Sequence, residues 1–263
     1  MVKAIFFDID GTLREFEQKG IGEDTRQALR RASGAGVRLF IATGRHYMEM
    51  EEENLLDGLT FDAYVTLNGQ YCYEDGRERR VIYKNPIPGD QMKILLEILR
   101  EQPFPCLFME ADQWYLNYVD EMVVRVQKSI GTRIPPLGDI RRALDHEIYQ
   151  VIPYLNEEKA RQLAERLPGC SYTVWHDGEG VDLTPKNGGK CIGIEKVLEY
   201  YGIERKDMAA IGDGNNDASM IAFAGTGIAM GNATALARAA ADYVTGDVAE
   251  GGLPQAIDYL LSL

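Results

Sequence analysis

Short apolar segments alternate with helical ones in two parts of this sequence, and this alternation constrains the fold more than any other feature. Near the start, the strand-like runs Val2–Ile9 and Val37–Ala42 flank Asp24–Ala35, in which apolar residues recur at helical spacing. Beyond Lys3 the two runs show no polar alternation, which is typical of strands buried on both faces of a parallel sheet. A strand, a helix and a second strand in this order predict a βαβ unit with a right-handed crossover.

The same alternation returns beyond residue 190, where an apolar stripe from Cys191 to Tyr201 predicts a helix and Met208–Ile211 predicts a strand. We therefore predict an α/β fold in which residues 1–82 and 184–263 form a doubly wound, Rossmann-like parallel sheet. Residues 83–183 hold eight of the ten prolines and alternate helix-like with aromatic strand-like segments. Because both ends of this segment return to the first domain, it is predicted to be an inserted, smaller α+β domain.

Charge and composition exclude several classes of protein. The 28 Lys and Arg residues against 41 Asp and Glu residues give a net charge of −13, which disfavours binding to nucleic acid or to anionic membranes. The apolar runs are far shorter than the ~20 residues of a membrane span, and no signal-peptide pattern precedes the first strand, so a cytoplasmic location is expected. The four cysteines form no CxxC pair, which argues against a zinc site or a disulfide framework. The oligomeric state is left open.

Polar clusters follow the predicted strands, at the sheet edge where parallel sheets bind ligands. They are Asp8–Thr12, Thr43-Gly44 and Gly212–Asp217. Carboxylates of Asp8, Asp213 and Asp217 would repel one another at this edge, and a hard divalent cation such as Mg²⁺ would relieve the repulsion. Asp217 also fits an ordinary helix N-cap. Thr43 and Lys190 together predict an anion cradle, although the sequence around Lys190 lacks the pattern of a phosphate-binding P-loop.

The predicted helix His46–Asp57 carries an acidic run. We interpret Glu49, Glu51, Glu52 and Glu53 as a solvated helix face. Three isolated histidines make a histidine-based metal or nucleophile site improbable, and His46 is the one expected to lie nearest to a substrate.

In order and spacing, the run Asp8–Thr12, the segment Thr43-Gly44-Arg45, Lys190 and the run Gly212–Asp217 resemble the four motifs of the haloacid dehalogenase-like phosphatases. The insertion, together with Gly231-Asn232-Ala233 and the run Ala241–Thr245, is similar to the Cof-type subfamily, which carries a large α/β cap at this point. Arg14 departs from the pattern, because such proteins more often have an apolar or acidic residue there; near the site mouth it would favour a more anionic substrate.

The resemblance implies a role for each catalytic residue. Asp8 is the expected nucleophile, forming an aspartyl-phosphate, and Asp10 is the expected general acid and base. Mg²⁺ is expected to be bound by Asp8, the backbone carbonyl of Asp10 and Asp213, with Asp217 supporting the metal shell. Lys190 would hold Asp8 and the phosphate in register.

The same resemblance places Thr43, Gly44, Arg45 and Asn216 at the phosphate, with hydrogen bonds from Thr43, Gly44 and Asn216 to its oxygens. The expected function is a Mg²⁺-dependent phosphatase of small phosphorylated metabolites, with sugar phosphates as the favoured class. Two alternatives stay open: a phosphomutase, which would return phosphate to the substrate, and a non-catalytic sensor of phosphorylated metabolites. The inserted domain is expected to set substrate specificity.

Overall fold

The computed structural model describes residues 1–15, 20–75, 79–175 and 180–263. The described residues form two compact units. The core unit consists of Met1–Tyr83 and Gly189–Leu263, and the inserted unit consists of Lys84–Gly188.

The elements of the core unit come in two blocks, one on each side of the insertion. Before it lie β1 (Ala4–Phe7), α1 (Glu23–Gly34), β2 (Arg38–Ala42), α2 (Tyr47–Glu52), β3 (Ala63–Thr66), β4 (Tyr71–Glu74) and β5 (Arg80–Lys84). The insertion contributes α3 (Gly89–Glu101), β6 (Cys106–Met109), β7 (Trp114–Leu116), α4 (Glu121–Ser129), β8 (Gln150–Pro153), α5 (Glu157–Arg166), β9 (Cys170–Val174) and β10 (Val181–Pro185). After it lie α6 (Lys190–Tyr201), β11 (Met208–Gly212), α7 (Ala218–Phe223), β12 (Thr226–Ala229), α8 (Ala235–Ala239), β13 (Tyr243–Val244) and α9 (Gly252–Ser262).

The core unit is built on one sheet, with the strand order β13-β12-β11-β1-β2-β3-β4-β5 among the described residues. Every pairing from β13 to β3 is parallel. All four residues of β1 are fully buried, which explains why its sequence is apolar without alternation. The predicted doubly wound parallel sheet is confirmed. An antiparallel strand, β4, extends it beyond β3 and was not predicted.

The order of the strands reverses between β1 and β11. From β1 the chain proceeds outward through β2 and β3, and after the insertion it returns to β11 beside β1 and proceeds outward on the other side through β12 and β13. In doubly wound sheets, ligands bind outside the carboxyl ends of the strands at such a reversal. The topology therefore marks the ends of β1 and β11 as the place to look for a site.

The inserted unit contains an antiparallel sheet in the order β7-β6-β8-β10-β9 within the part of the chain that the structure describes. Its apolar core includes Leu95 and Ile98 of α3, Phe108 of β6 and Val151 of β8. This is the predicted α+β architecture. The strand β10 continues to Pro185, two residues past the predicted limit of 183, and completes the sheet between β8 and β9.

The structure shortens one predicted helix. The prediction was a helix over His46–Asp57, whereas α2 ends at Glu52. The following turns place Asn54 and Asp57 in left-handed backbone conformations, with φ of 50° and 49°, and such conformations interrupt an α-helix. Among the described helices, none combines the length and the apolar character that crossing a membrane requires.

Candidate active site

The strand pairing brings the two acidic loops together at the reversal point of the sheet. Phe7 of β1 lies in register with Ile211 of β11, and the backbone N–H of Asp8 donates to the carbonyl of Ile211 at 3.0 Å. Asp8 and Asp213 therefore follow neighbouring strand ends, and both are buried. Two residues that are distant in sequence thus meet because of the topology.

A tight turn after β1 lets the loop of Asp213 approach the loop of Asp8 closely. The carbonyl of Ile9 accepts hydrogen bonds from the backbone N–H groups of Leu13 and Arg14, at 3.0 and 3.1 Å. Gly11 has a φ of +77°, and a Cβ at this position would lie 2.3 Å from Oδ2 of Asp213. The turn therefore needs glycine both for its backbone conformation and for the approach of the second acidic loop.

Asp217 organises the loop after β11. One of its oxygens, Oδ2, accepts hydrogen bonds from the backbone N–H groups of Asp213 and Gly214, at 2.9 and 2.8 Å. The other, Oδ1, accepts a hydrogen bond from Lys190. The side chain of Asp217 therefore holds the loop in shape and also reaches the site. Asp217 stands at the N-cap position of α7, but its side chain makes no capping hydrogen bond to that helix, so the N-cap interpretation does not account for its contacts.

Lys190 begins α6 and extends into this cluster. Its ammonium Nζ lies 2.6 Å from Oδ1 of Asp8 and 2.5 Å from Oδ1 of Asp217, and the residue is 1% exposed. Burial opposes its charge, but the two carboxylates outweigh burial, so the pKa of Lys190 is raised and the amine stays protonated. The start of α6 packs closely on the turn after β3, where a Cβ on Gly69 would lie 2.3 Å from the carbonyl oxygen of Gly189.

The carboxylates of Asp8, Asp213 and Asp217 form a group whose ligand atoms lie within 4.8 Å of one another. Burial, followed by the charge of Asp217, raises the pKa of Asp8 to about 7. Burial and the two neighbouring carboxylates, with Asp217 the stronger, raise the pKa of Asp213 to about 9. When all three are ionised, Lys190 balances only one of three negative charges. A divalent cation would balance the other two, so the donor set fits a hard metal ion.

The predicted phosphate-binding residues lie on two loops that the structure connects. The hydroxyl Oγ1 of Thr43 accepts a hydrogen bond from the backbone N–H of Arg45 at 3.1 Å. The carbonyl of Thr43 accepts from the backbone N–H of Asn68 at 3.0 Å, and the side chain of Asn216 donates to Oδ1 of Asn68, also at 3.0 Å. Gly44 lies against the same residue, since a Cβ there would be 3.2 Å from Nδ2 of Asn68.

Asn68 was not predicted as a site residue, although it connects the loops of Thr43 and Asn216. Its φ of 53° lies in the left-handed region, which asparagine tolerates better than most residues. The Asn68-Gly69 dipeptide after an apolar strand was the available signal, because it favours a tight turn before an antiparallel strand.

Arg45 and Asp10 form a second group beside the acidic cluster. The guanidinium of Arg45 donates from Nε to Oδ2 of Asp10 at 2.8 Å and from Nη1 to Oε1 of Glu49. Arg14 lies near the other oxygen of Asp10, with Nε 3.9 Å from Oδ1. Among the described residues, the metal-capable carboxylate group does not include the side chain of Asp10.

The expectation of a solvated acidic face on α2 is wrong for Glu49. This residue is 5% exposed and paired with Arg45, whereas Glu51 and Glu52 are exposed as expected. Glu49 follows Arg45 by four residues, so both can lie on one side of the chain where α2 begins. His46 is also buried, and its ring Nδ1 accepts a hydrogen bond from the backbone N–H of Met48 at 3.2 Å.

Two further residues brace Asp213. Thr12 donates from Oγ1 to Oδ1 of Asp213 at 3.1 Å. Asn232 donates to the carbonyl of Gly11 at 2.8 Å and lies 3.4 Å from Oδ2 of Asp213. Both belong to motifs that the sequence displays, but neither was predicted as a site residue, because their partner becomes visible only when the loops are brought together.

Comparison with known proteins agrees with this geometry. A family model of the haloacid dehalogenase-like hydrolases matches residues 5–257. The putative phosphatase YkrA of Bacillus subtilis (strain 168) is 34% identical over 259 residues, which cover 98% of this chain and 97% of the relative. The pyridoxal phosphate phosphatase YbhA of Escherichia coli (strain K12) is 28% identical over 264 residues, covering 93% of each protein.

Solved structures show the same relationship. A sugar phosphatase of subclass IIB of this superfamily matches with a TM-score of 0.86 and 34% identity, over 100% of both chains. A phosphatase of the superfamily from Bacteroides thetaiotaomicron matches with a TM-score of 0.88 and 30% identity, over 100% of this chain and 96% of its own. The chain therefore belongs to the haloacid dehalogenase-like hydrolases of Cof type, and it is a phosphoric monoester hydrolase.

Proposed function

We propose that this enzyme is a Mg²⁺-dependent phosphatase that hydrolyses small phosphorylated metabolites, sugar phosphates first among them, in the cytoplasm. The observation that carries the proposal is the group of three buried carboxylates, Asp8, Asp213 and Asp217, which meet at the reversal point of the sheet with one lysine between them. The sugar phosphatase among its structural neighbours supports the choice of substrate class.

Phosphatases of this family generally use a divalent metal, and the donors present here fit a hard cation such as Mg²⁺. All three side chains offer oxygen ligands, which hard cations prefer, and no nitrogen or sulfur ligand joins the group among the described residues. Asp8, Asp213 and the backbone carbonyl of Asp10 would hold the ion, supported by Asp217. When bound, Mg²⁺ would neutralise charge on the phosphoryl oxygens.

Asp8 acts as the nucleophile in the proposed reaction. One of its carboxylate oxygens forms a bond to phosphorus while the bond from phosphorus to the ester oxygen breaks, which leaves an aspartyl-phosphate. Lys190, 2.6 Å from Oδ1 of Asp8, fixes the orientation of that carboxylate and balances part of the charge. Thr43, Gly44 and Asn216 orient the phosphoryl group.

Asp10 moves the protons. It donates a proton to the departing ester oxygen, and it then takes a proton from the water that attacks phosphorus, so that Asp8 is released and inorganic phosphate forms. Its carboxylate is held by Arg45 on one side, and Arg14 lies near its other oxygen.

We also propose that the inserted unit, Lys84–Gly188, selects the substrate, because the residues that carry the chemistry all belong to the core unit. A panel of phosphate esters tests the whole proposal: glucose 6-phosphate, fructose 6-phosphate, ribose 5-phosphate, pyridoxal phosphate and 2,4-dinitrophenyl phosphate, each with Mg²⁺ and with EDTA. Release of inorganic phosphate that needs Mg²⁺ supports it, and faster turnover of the sugar phosphates than of pyridoxal phosphate supports the substrate class.

Two results would replace the proposal with an alternative. Isomerised sugar phosphate without free phosphate would indicate a phosphomutase. Binding of phosphate esters without turnover of any ester in the panel would indicate a sensor.

A further inference from the structure

A relay of charged side chains connects Asp10 to helix α2. Arg45 binds Oδ2 of Asp10 through Nε and Glu49 through Nη1, and the side chains of Arg45 and Glu49 are 14% and 7% exposed. The proposed reaction gives Asp10 a part but gives Glu49 none. A buried carboxylate is costly unless a partner compensates it, so the pairing of Glu49 calls for an explanation.

Helix capping accounts for only one of the contacts of Glu49. It lies near the backbone N–H of His46, as the third residue of a helix whose N-cap is His46. Either glutamate or glutamine can make such a capping contact. A glutamine would not supply the negative charge that faces Arg45, so the cap does not explain why the residue is acidic.

We propose that Glu49 is a positioning residue for the proton transfers of Asp10 and acts through Arg45; this inference rests on the proposed function. The guanidinium is planar and its donors have a fixed spacing, so holding Nη1 on Glu49 aims Nε at Asp10. Oδ2 of Asp10 accepts that hydrogen bond, which leaves Oδ1 as the oxygen for proton transfer, and Nε of Arg14 lies 3.9 Å from Oδ1. The relay therefore fixes which oxygen of Asp10 handles the proton.

The two chemical steps then use the same oxygen. In the first, Oδ1–H of Asp10 gives its proton to the ester oxygen as the bond from that oxygen to phosphorus breaks. In the second, Oδ1 takes a proton from water as the water oxygen bonds to phosphorus. The bond between phosphorus and Asp8 breaks in that step, and its electron pair returns to the Asp8 carboxylate.

The test compares two leaving groups. 2,4-Dinitrophenolate departs without a proton, whereas the alkoxide of a sugar phosphate needs one. The ratio kcat/KM reports only the steps up to loss of the leaving group. For Glu49→Gln we expect kcat/KM to fall about tenfold or more on the sugar phosphate that the wild type turns over fastest, and to stay within about twofold on 2,4-dinitrophenyl phosphate. On the dinitrophenyl ester kcat should fall, because hydrolysis of the aspartyl-phosphate also needs Asp10.

Two controls separate positioning from a structural role. Glu52 is an exposed residue of the same helix, and Glu52→Gln should change kcat/KM on neither ester by more than about twofold. In an Asp10→Asn background, Glu49→Gln should add no further loss, because residues that act through one another are not additive. If Glu49→Gln does not fold, Glu49→Asp should give the same leaving-group pattern, since aspartate keeps the charge but is one methylene too short to hold Nη1 of Arg45 in place.

The inference would be overturned if Glu49→Gln lowered kcat/KM equally on both esters, or if it lowered kcat/KM further in the Asp10→Asn background. Wild-type enzyme that turns over no ester with Mg²⁺ would instead overturn the proposed function. If the wild type hydrolyses pyridoxal phosphate but none of the sugar phosphates, pyridoxal phosphate replaces the sugar phosphate as the ester whose leaving group needs a proton. Its kcat/KM is then compared with that of 2,4-dinitrophenyl phosphate in the same way.

Discussion

Buried charge occurs in both units of the enzyme, and the two cases differ in their balance. In the inserted unit, Glu110 is buried, and Arg142 donates to its two oxygens at 2.9 and 2.8 Å. This is one negative charge against one positive charge, in the two-point geometry that suits arginine and a carboxylate. In the core unit, the three carboxylates of the acidic cluster face one lysine.

This difference in charge balance distinguishes an ion pair that only stabilises the fold from a cluster that can bind a cation. A balanced pair is complete in the folded chain, so nothing further needs to bind to it. An unbalanced cluster is destabilising by itself, and the folded chain tolerates it because the sheet and the loop contacts hold the carboxylates in place. Five experiments test this contrast, and they are given in decreasing order of the effect we expect.

Removing the proposed nucleophile should have the largest effect. Asp8→Asn is expected to lower turnover of phosphate esters by about 10⁴-fold or more, because an amide cannot form the aspartyl-phosphate. The measurement is release of inorganic phosphate at saturating Mg²⁺, with unchanged circular dichroism as evidence of folding. Turnover within tenfold of the wild type would remove Asp8 from the reaction.

Breaking the pair of Glu110 and Arg142 should lower the stability of the protein without changing its turnover of phosphate esters. Arg142→Ala removes the positive charge that compensates the buried Glu110, so we expect the free energy of unfolding to fall. The two tryptophans, Trp114 and Trp175, both belong to the inserted unit, so urea unfolding followed by their fluorescence reports this unit. Arg141→Ala is the control: Arg141 pairs with Asp139 at the surface, so its loss should lower the free energy of unfolding much less. Equal effects of the two variants would contradict the contrast.

The unbalanced cluster should make the metal-free protein less stable as the pH rises. The pKa values of Asp8 and Asp213 in the folded protein, about 7 and about 9, exceed the unfolded value of 3.8, so the folded state binds more protons. Their contribution to stability is complete below pH 3.8 and is lost as the pH rises toward 9. Each carboxyl that stays protonated only in the folded state lowers the free energy of unfolding by about 1.4 kcal/mol per pH unit, so between pH 5 and pH 8 in EDTA the two together should lower it by several kcal/mol.

Magnesium should reverse that loss. Because the ion binds the ionised carboxylates, it should raise the melting temperature more at pH 8 than at pH 5. Asp213→Asn is the matched control, which should flatten the pH dependence in EDTA and reduce the response to Mg²⁺. A melting temperature that rises with pH in EDTA would contradict the excess of negative charge in the cluster.

Neutral groups around the cluster should matter least. Asn68→Ala removes the hydrogen bond to Asn216 and places a less tolerant residue at φ 53°, so we expect a loss of about 1 kcal/mol in stability. Asn68→Gly loses the same hydrogen bond but accepts the backbone conformation, and it should lose less. Thermal unfolding of both variants gives the comparison, and a larger loss for the glycine variant would contradict the backbone argument.

The alternation of strands and helices was sufficient to predict the central sheet, because β1, β2 and β11 are apolar on both faces and their neighbours carry a helical repeat. The strand β10 was not predicted. It lies between β8 and β9, yet it carries Asp182 and Thr184, and both are buried. Asp182 accepts a hydrogen bond from Gln150 on β8, so its burial depends on a partner that local sequence does not reveal.

The site residues also include some that the sequence predicts and some that it does not. The positions of Asp8 and Asp213 could be predicted because polar residues directly after apolar strands collect at one sheet edge. Glu49 could not, since an acidic residue in an acidic run reads as solvated until Arg45 is placed beside it. Local patterns thus identify which residues stand at strand ends, whereas contacts across loops depend on the assembled fold. The catalytic roles themselves stay predictions until the variants above are assayed.

The pairing of β1 with β11 also has a consequence for how the enzyme is made and how it diversifies. Asp8 is translated before the insertion and Asp213 after it, so a ribosome-bound chain cannot hold both acids until the whole inserted unit has emerged. Once the two strands pair, the inserted unit can change its sequence and length without altering the spacing of the acids. If that unit selects the substrate, as proposed, the same core can acquire new substrates by exchanging it while the chemistry stays constant.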